Sequence, residues 1–587
     1  MATQWMVCAT GAPPRGIPVT GLEGVWHGGS GMRQVTDGRV RLAVLGDCGA
    51  SSQDLQRALA AVRAGRWWEL TRWPGAYWVV AESGGHRFVC GDLAGLRPVY
   101  YTLRGAPGAP GGPVRWATDA ALLGYPLVAD LPYLVAHLVV GGHHWPHRTA
   151  FEEIRAVPGG FGLLLEPSAP PRLIEVSRVE PVDELREGAA RFGQALTDAV
   201  QHRVRHAGAS VSADLSGGLD SSTAVLLAAA AGDVHAVTYT DGYTSAEDSS
   251  FAARVAAHAY IRHTSTEGEP RQLPFTFPPR AEAGGEPVFA LANWAMDAAY
   301  LAPVAALPAH VTGHGGDTVL DASSACWVRL LQEGRRREAH RQVVAFARLR
   351  NTAPGPYWKT LKQAAELGRT GALERAGAVL ERGPLPAQGA PAGWAWCRLG
   401  VSATWLTEQG RLQVAALLRQ AARDQPSEHA DTFDEWAALR AMGASARGWA
   451  PYAQTLGITP VYPYLDNEVV RAAFAVPALA RRGLTAYKPL LRAALPQLPD
   501  WLTSRRSKGS FTAQRIAGLA RHYSQLEELI TSSPLAADGL IDPDAVRDAL
   551  GQAARGQNAT AIAHLHQLAV TCWWLTGQMP RREVAAC

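Results

Sequence analysis

The stretch SADLSGGLDSS (residues 212–222), followed at once by the apolar run TAVLLAAAA (223–231), decides how the rest of this chain is read. Ser216, Gly217, Gly218, Asp220, Ser221 and Ser222 lie between a predicted strand, ASVSADL (209–215), and a helix predicted over residues 223–231. Glycines let the backbone approach a ligand closely, and the start of the following helix offers unpaired N–H groups at the positive end of its dipole. The serine hydroxyls add donors, so the segment is built to hold an anion such as phosphate. It is not a Walker loop, because no G-x-x-x-x-G-K-[ST] occurs.

Two further short strands, VHAVTYT (234–240) and AHVTG (309–313), alternate with helical segments. Such alternation predicts βαβ units and a parallel sheet, with ligands beyond the carboxyl ends of the strands. Phe192, Leu196 and Val200 recur every four residues and mark a helix face just before the loop. Upstream, the first 165 residues are strand-like, with VRLAVLG (40–46), GAYWVVAE (75–82), HRFVCGD (86–92), RPVYYTL (97–103) and FGLLLE (161–166) separated by glycine, proline and aspartate. The proline-rich EPSAPPRLIEVSRVEP (166–181) reads as an extended interdomain segment. From about 325 to 455, and over the last 75 residues, the chain reads as helical. These shifts divide it into residues 1–166, a linker over 167–185, and residues 186–587.

At 587 residues the chain is too long for one core, and 47% apolar with 18% charged residues is a globular profile. A net charge of +4 is too weak for a polyanion binder, so no nucleic-acid partner is expected. Seven cysteines without a C-x-x-C pair argue against a disulfide framework or a zinc ribbon. With no secretory pattern at the start and no membrane-spanning run, a soluble cytoplasmic protein is expected, with no membrane partner.

SGGLDSS is similar to the signature of ATP pyrophosphatases, which cleave ATP to AMP and pyrophosphate. Magnesium usually takes one or two carboxylates and leaves its other positions to phosphate and water. Asp220 is therefore the first candidate ligand and Asp317, in TGHGGDTVL (312–320), the second; a turn or N-cap role is the alternative for Asp317. SGGLDSS, TYTDGYTSAEDSSFAARVAAH (238–258), TGHGGD, VYPYLDNEVVRAAFAVP (461–477), AYKPLLRAALPQLP (486–499) and SRRSKGSF (504–511) together resemble successive blocks of asparagine synthetases. PGAYWVVAE, GDLAGLRPVYY, RWATD and FEEIRAVPGGFGLLLE resemble their glutaminase domain.

The fold this resemblance implies is α/β: an N-terminal class II glutamine amidotransferase-like (Ntn-type) αββα sandwich, then a synthetase domain with a parallel sheet and many helices. It implies ATP and Mg²⁺ as cofactors. It places Leu215 and Tyr239 beside adenine and ribose, Ser216, Gly217, Gly218, Ser221 and Ser222 on pyrophosphate, and Gly313 at the nucleotide's border. Lys488 matches the lysine facing the acyl-adenylate, where a fixed ammonium stabilises developing negative charge. Without the resemblance, Lys488 would read as a solvated lysine on a helix that buries Leu490, Leu491 and Ala494. SRRSK would read as a solvated loop, with a secondary role near the departing pyrophosphate.

Two departures narrow the choice. Glutamine-hydrolysing members expose a cysteine once the initiator methionine is removed; here that position is Ala2, and Cys8 comes six residues too late. A thiol beside a free amine is what that hydrolysis needs, so the N-terminal domain is expected to release no ammonia. Asparagine synthetases carry glutamate, and β-lactam-forming relatives tyrosine, where this chain has His314. Together these features resemble the lasso peptide cyclases. The resemblance then implies activation of an Asp or Glu side chain in a precursor core peptide and attack by the peptide's own N-terminal amine.

An α-amino group has a pKa near 7.7–8.0, so a strong base is not obligatory. His314 is expected to take the proton or orient the amine; a histidine hydrogen-bonded to nearby backbone is the alternative. Glu286 in GGEPVF (284–289), with Asn293 and Trp294 behind it, is expected to line a peptide-sized site; structural roles for these residues are the alternative. A leader-binding protein and a leader peptidase are the implied partners. The alternatives are an ATP-dependent amide synthetase acting on a small acid, of asparagine synthetase or β-lactam synthetase type, and a non-catalytic scaffold for the precursor. GGHHWPH (141–147) is expected to be a surface loop rather than a metal site, and Trp67, Trp68, Trp573 and Trp574 to be packing residues.

Overall fold

A computed structural model describes residues 4–9, 16–103, 114–167, 169–280, 285–383, 385, 392–424, 429–484, 487–505 and 509–578. Ala2 and residues 506–508 of SRRSK lie outside them.

The N-terminal region forms two six-stranded sheets, antiparallel at every pairing. Alternating residues fill the space between them, Met6, Val25 and Trp116 from one sheet against Leu45, Val80, Val89 and Leu163 from the other. The opposite face of the second sheet, through Leu42, Val44, Val79 and Phe88, packs against Leu55, Leu59 and Val62 of the helix Ser52–Arg63. That helix starts where it does because Ser51 and Asp54 form a reciprocal capping box. The outer face of the first sheet shares a core with Leu134, Val135 and Leu138 of the helix Leu131–Val140. The layers are therefore helix, sheet, sheet, helix, the expected sandwich.

Ala169–Glu175, inside the segment read as an interdomain connection, is a strand paired antiparallel with Phe161–Glu166. It is extended, as its prolines require, but it forms the edge of the second sheet, where missing N–H groups do no harm.

The second region is built on five parallel strands in the order Arg262–Glu267, Asp233–Thr240, Ser210–Asp214, His310–Val311, Pro460–Val461. Ser210–Asp214 is central. Phe192, Leu196 and Val200 of the helix Leu185–His206 are buried with Val211 and Ala213 of that strand, as their spacing predicts. The helices between 325 and 455 and after 512 cover the rest. Among the described residues no helix is long and apolar enough to cross a membrane.

Charge-assisted hydrogen bonds tie the two regions together. Arg447 donates to the Gly95 carbonyl at 2.7 Å, Arg440 to that of Gly159 at 2.9 Å, and buried Arg203 pairs with Asp47 and Asp466 at 2.9 Å each. The N-terminal sandwich is thus fastened to the second region whatever its own chemistry.

The histidine segment is not a surface loop. His144 is fully buried and stacks on Phe433, its ring centroid 6.1 Å away. Burial first, then neighbouring Arg369 and His137, lowers the His143 pKa to about 4. Phe433 comes from the distant helix Ala430–Thr455, so nothing local to residues 141–147 announces the burial. Trp67 and Trp574 are buried in the core, and Trp573 stacks on Phe277.

Buried His566 donates its Nε2–H to the Phe289 carbonyl (2.8 Å) and stacks on the Phe289 ring, and burial lowers its pKa to about 3. An unfolded histidine titrates near 6.5, so between pH 6.5 and 3 the unfolded chain binds the extra proton. This histidine's contribution is therefore present above 6.5 and is lost as pH falls, by about 2 kcal/mol on reaching pH 5. Thermal melts of His566→Asn across pH 7 to 5 should show a correspondingly shallower fall in stability than wild type; parallel curves would contradict this.

Candidate active site

The central strand ends at Asp214, and the chain turns through Leu215–Gly218 into the helix Leu219–Ala229. Leu215 is buried and donates its N–H to the Val237 carbonyl at 2.9 Å. Gly217 has φ +75°, and a Cβ there would lie 2.1 Å from the Asp248 carbonyl oxygen. Both facts demand glycine. Gly218 is the N-cap, so the free N–H groups of the first helical turn point at whatever sits over the loop.

The hydroxyls are arranged around that turn. Ser216 and Ser221 Oγ atoms are 3.0 Å apart, and the Gly218 N–H donates to Ser216 Oγ at 3.3 Å. Ser222 Oγ and Tyr239 Oη are buried without a hydrogen-bond partner among the described residues. Such groups are costly unless a ligand or water completes them. Gly313 closes against the loop from the neighbouring strand end: a Cβ there would fall 2.6 Å from the Ser221 nitrogen.

Gly217→Ala should therefore distort the loop and weaken ATP binding at least tenfold while leaving the fold intact. Calorimetric titration with ATP, set beside a thermal melt, checks this; wild-type affinity would contradict it.

The next layer is electrostatic. Lys488 Nζ lies 2.5 Å from both carboxylate oxygens of Asp220 and 2.7 Å from Asp317 Oδ1. Lys488 is 1% exposed, so the reading of a solvated lysine does not hold. Burial alone would lower its pKa; the Asp220 and Asp317 carboxylates outweigh this and the net shift is upward, keeping the ammonium charged. Its backbone sits at φ +49°, a left-handed conformation that a lysine adopts at some cost and that aims the side chain inward. Gly316 explains how Asp317 comes so close: a Cβ on it would lie 2.4 Å from Asp220 Cγ. The structure thus brings together Asp220, Asp317 and Lys488, from three separate segments.

Two carboxylates meeting at one cation suit a hard divalent ion whose other positions phosphate and water complete. Among the described residues no group of three or more His, Cys, Asp or Glu side chains is placed to hold a metal alone.

His314 follows Gly313 directly. Burial first lowers its pKa, so the ring is neutral near pH 7. A backbone hydrogen bond to Met442 engages one ring nitrogen, while Nε2 is buried without a partner among the described residues. The backbone contact expected as the alternative is present, made by Met442 of the helix Ala430–Thr455, yet it leaves one nitrogen as an open proton acceptor.

Sequence reasoning missed the role of Arg505. It is buried, it donates to the Gly217 carbonyl and to Asp248, and its guanidinium lies 4.4 Å from the Phe251 ring. The start of SRRSK is therefore part of the loop's support and not a solvated strip. A lone arginine among basic neighbours carries no local signal for this.

Glu286 pairs with Arg447 at 3.3 Å and lines a cavity of about 670 Å³ between the N-terminal sandwich and the helix Ala430–Thr455. Trp394, Phe433 and Arg440 line it too, but Asn293 and Trp294 do not. Cys8, the nearest thiol to the start, has its pKa raised by burial, with Arg87 only partly offsetting it. A raised thiol pKa makes a poor nucleophile.

Solved structures similar to part of this chain include two enzymes. One is a glutamine phosphoribosylpyrophosphate amidotransferase from B. subtilis complexed with ADP and GMP, 11% identical over 40% of this chain and 48% of that one, with a TM-score of 0.17. The other is the allosteric regulatory enzyme of purine biosynthesis, 12% identical over 47% and 54%, with a TM-score of 0.17. The chain spans about half the length of each. No curated protein matches it. The asparagine synthase family model matches residues 191–576, more than half the chain and the whole of the Ser216 loop, Asp317 and Lys488. This chain therefore belongs to the asparagine synthase family, whose chemistry is ATP-dependent formation of an amide bond.

Proposed function

We propose that the protein is a lasso peptide cyclase: it activates an Asp or Glu side chain of a precursor core peptide with ATP and joins it to the peptide's N-terminal amine. The observation that carries the reading is the cluster of Asp220, Asp317 and Lys488 beside the Ser216 loop.

In this reading the pyrophosphate of ATP lies over Ser216, Gly217, Gly218, Ser221 and Ser222, and Asp220 and Asp317 hold Mg²⁺. The ion, when bound, offsets phosphate charge. The substrate carboxylate attacks the α-phosphorus, the bond to the β-phosphate oxygen breaks, and pyrophosphate leaves. Lys488 stabilises the charge that builds on the α-phosphate oxygens and, in the second step, on the tetrahedral carbon. The amine, one proton already passed to His314 Nε2, attacks the acyl carbon, and AMP leaves with the second proton on its phosphate as the isopeptide bond forms. Holding amine and carboxyl together removes about 7–11 kcal/mol of barrier, the largest contribution on offer.

Two features favour a peptide over free ammonia. His314 replaces the family glutamate, and the Glu286 cavity has the volume to hold a folded peptide segment. A leader-binding protein and a leader peptidase are the partners this reading requires.

The test is incubation of a leaderless core peptide with the enzyme, ATP and Mg²⁺, followed by mass spectrometry. Loss of one water from the peptide with stoichiometric AMP is expected. An unchanged peptide mass, or AMP formed from a small acid without peptide, would overturn the reading in favour of a small-molecule synthetase.

A further inference from the structure

Beside the Ser216 loop lies a second, smaller cavity of about 140 Å³. It lies between the strand-end residues Asp214, His310 and Pro460 and the residues Ser445, Ala446 and Trp449 of the helix Ala430–Thr455. Its walls include Asp214, Tyr300, His310, His314, Trp449 and Tyr462, and no lysine or arginine is among the residues lining it. The large cavity, by contrast, has Arg148, Arg398, Arg440 and Arg447 on its walls. Ser445 and Ala446 face the small cavity while Ala444 and Arg447 face the large one, so the two lie on different sides of the same helix.

The small cavity is organised around one carboxylate. Tyr300 Oη donates to Asp214 Oδ1 at 3.2 Å, and His310 Nε2 lies 3.0 Å from the same oxygen. His310 Nδ1 is in turn 2.9 Å from Ser212 Oγ. Both contacts fall on Oδ1, so among the described residues Oδ2 receives no donor. A carboxylate can accept about four hydrogen bonds, and here half of that capacity is unused. The His314 and Tyr462 rings meet edge to face at 5.7 Å, and Trp449 completes an aromatic wall. Burial pushes the phenols of Tyr300 and Tyr462 well above their usual range, so both stay neutral.

An anionic carboxylate among neutral aromatic rings, without a basic side chain, attracts a small cation. Ring faces attract an ammonium, the more so once it is desolvated. A volume equal to that of roughly four or five liquid waters admits an ammonium with a few carbons. Asp214 is two residues from Ser216 and His314 is one from Gly313, so the cavity is walled by the same strand ends that carry the Ser216 loop and Gly313.

We propose that this cavity receives the attacking primary amine as its ammonium form, held by Asp214 Oδ2 and the rings of Trp449, Tyr300 and Tyr462, with His314 Nε2 taking the proton before attack. The inference rests on the amide-forming reading above and adds where the amine is recognised. His314 gains the proton, the nitrogen gains a free lone pair, and no other reactant is needed.

The probe is methylammonium, followed by the NMR line width of ¹³C-labelled methylammonium chloride against sodium chloride at equal ionic strength. Wild-type protein should broaden the line saturably. Asp214→Asn and Trp449→Leu should each weaken binding at least tenfold with thermal melts close to wild type. Trp449→Leu leaves the Asp214 hydrogen bonds untouched and decides the matter if Asp214→Asn fails to fold. Unsaturable broadening in wild type, or saturation unchanged in Trp449→Leu, overturns the proposal. The measurement uses neither ATP nor peptide, so methylammonium binding without peptide cyclisation would sink only the cyclase reading, and cyclisation without methylammonium binding only this one.

Discussion

Lys488→Met should lower turnover by about 10²–10³-fold, the usual cost of removing one preorganised group that stabilises transition-state charge. Methionine keeps most of the length and apolar volume of the lysine stem, so packing changes little. What disappears is the ammonium that touches Asp220 at 2.5 Å and Asp317 at 2.7 Å. The buried arm of this pair is the one to Asp220, and breaking a buried pair typically costs about 3–5 kcal/mol. The Asp317 side chain is 56% exposed, and water screens that arm.

The variant should therefore melt earlier, and it should also bind Mg²⁺ more tightly without nucleotide, because the two carboxylates are no longer neutralised from within. Lys488→Arg is not expected to rescue turnover, since a planar guanidinium cannot occupy the point that one nitrogen occupies between two carboxylates. Single-turnover kinetics, calorimetric Mg²⁺ titration and a thermal melt check these four statements. Unaltered turnover in Lys488→Met would remove the lysine from the mechanism.

Asp220→Ala should abolish pyrophosphate release, with a loss of about 10³-fold or more, because it takes away both a cation-holding carboxylate and the anchor of Lys488. Asp220 follows the loop in the first turn of its helix, so its carboxylate is presented to the same space as the loop's N–H groups. Its partner Asp317 can hold a cation only singly once Asp220 is gone. ATP–pyrophosphate exchange, measured with the substrate carboxylate present, reports this step without waiting for the amide bond. Exchange at a tenth of the wild-type rate or more would show that the ion is held elsewhere. Loss of amide product with exchange intact would move Asp220 from the first step to the second.

These two variants bear on one cluster, yet its members differ in how visible they are in the sequence. Asp220 belongs to a contiguous loop whose glycines, serines and helix onset already describe a phosphate site, because every part of that argument is local. Asp317 is recognised by the order of motifs. Lys488 is 268 residues from Asp220, and lysine type alone favours solvent. Only the fold shows it buried. Arg505 illustrates the other side: its contact with the Gly217 carbonyl spans 288 residues, and no pattern near it distinguishes it from a surface arginine.

The histidines at 143 and 144 teach the same lesson about burial. Proline and glycine around them predict a turn, and a turn is what forms, a short 3-10 segment over Gly142–His144. Whether a turn is wet or buried depends on what covers it, here Phe433 from a helix some 290 positions away. The proline-rich stretch at 166–181 behaves likewise: its extended backbone is legible, while its use as a sheet edge depends on Phe161–Glu166 lying within reach.

What the sequence alone determined here is everything carried by short-range stereochemistry: the glycine loop, the helix that follows it, and the alternation that makes a parallel sheet. Tertiary structure alone decided which charges are buried together, which cavity has a carboxylate and which has arginines, and which loops are covered. The reason is physical. Backbone preferences and helix dipoles act over a few residues, whereas desolvation and the pairing of charges depend on which distant segments exclude water from the same point.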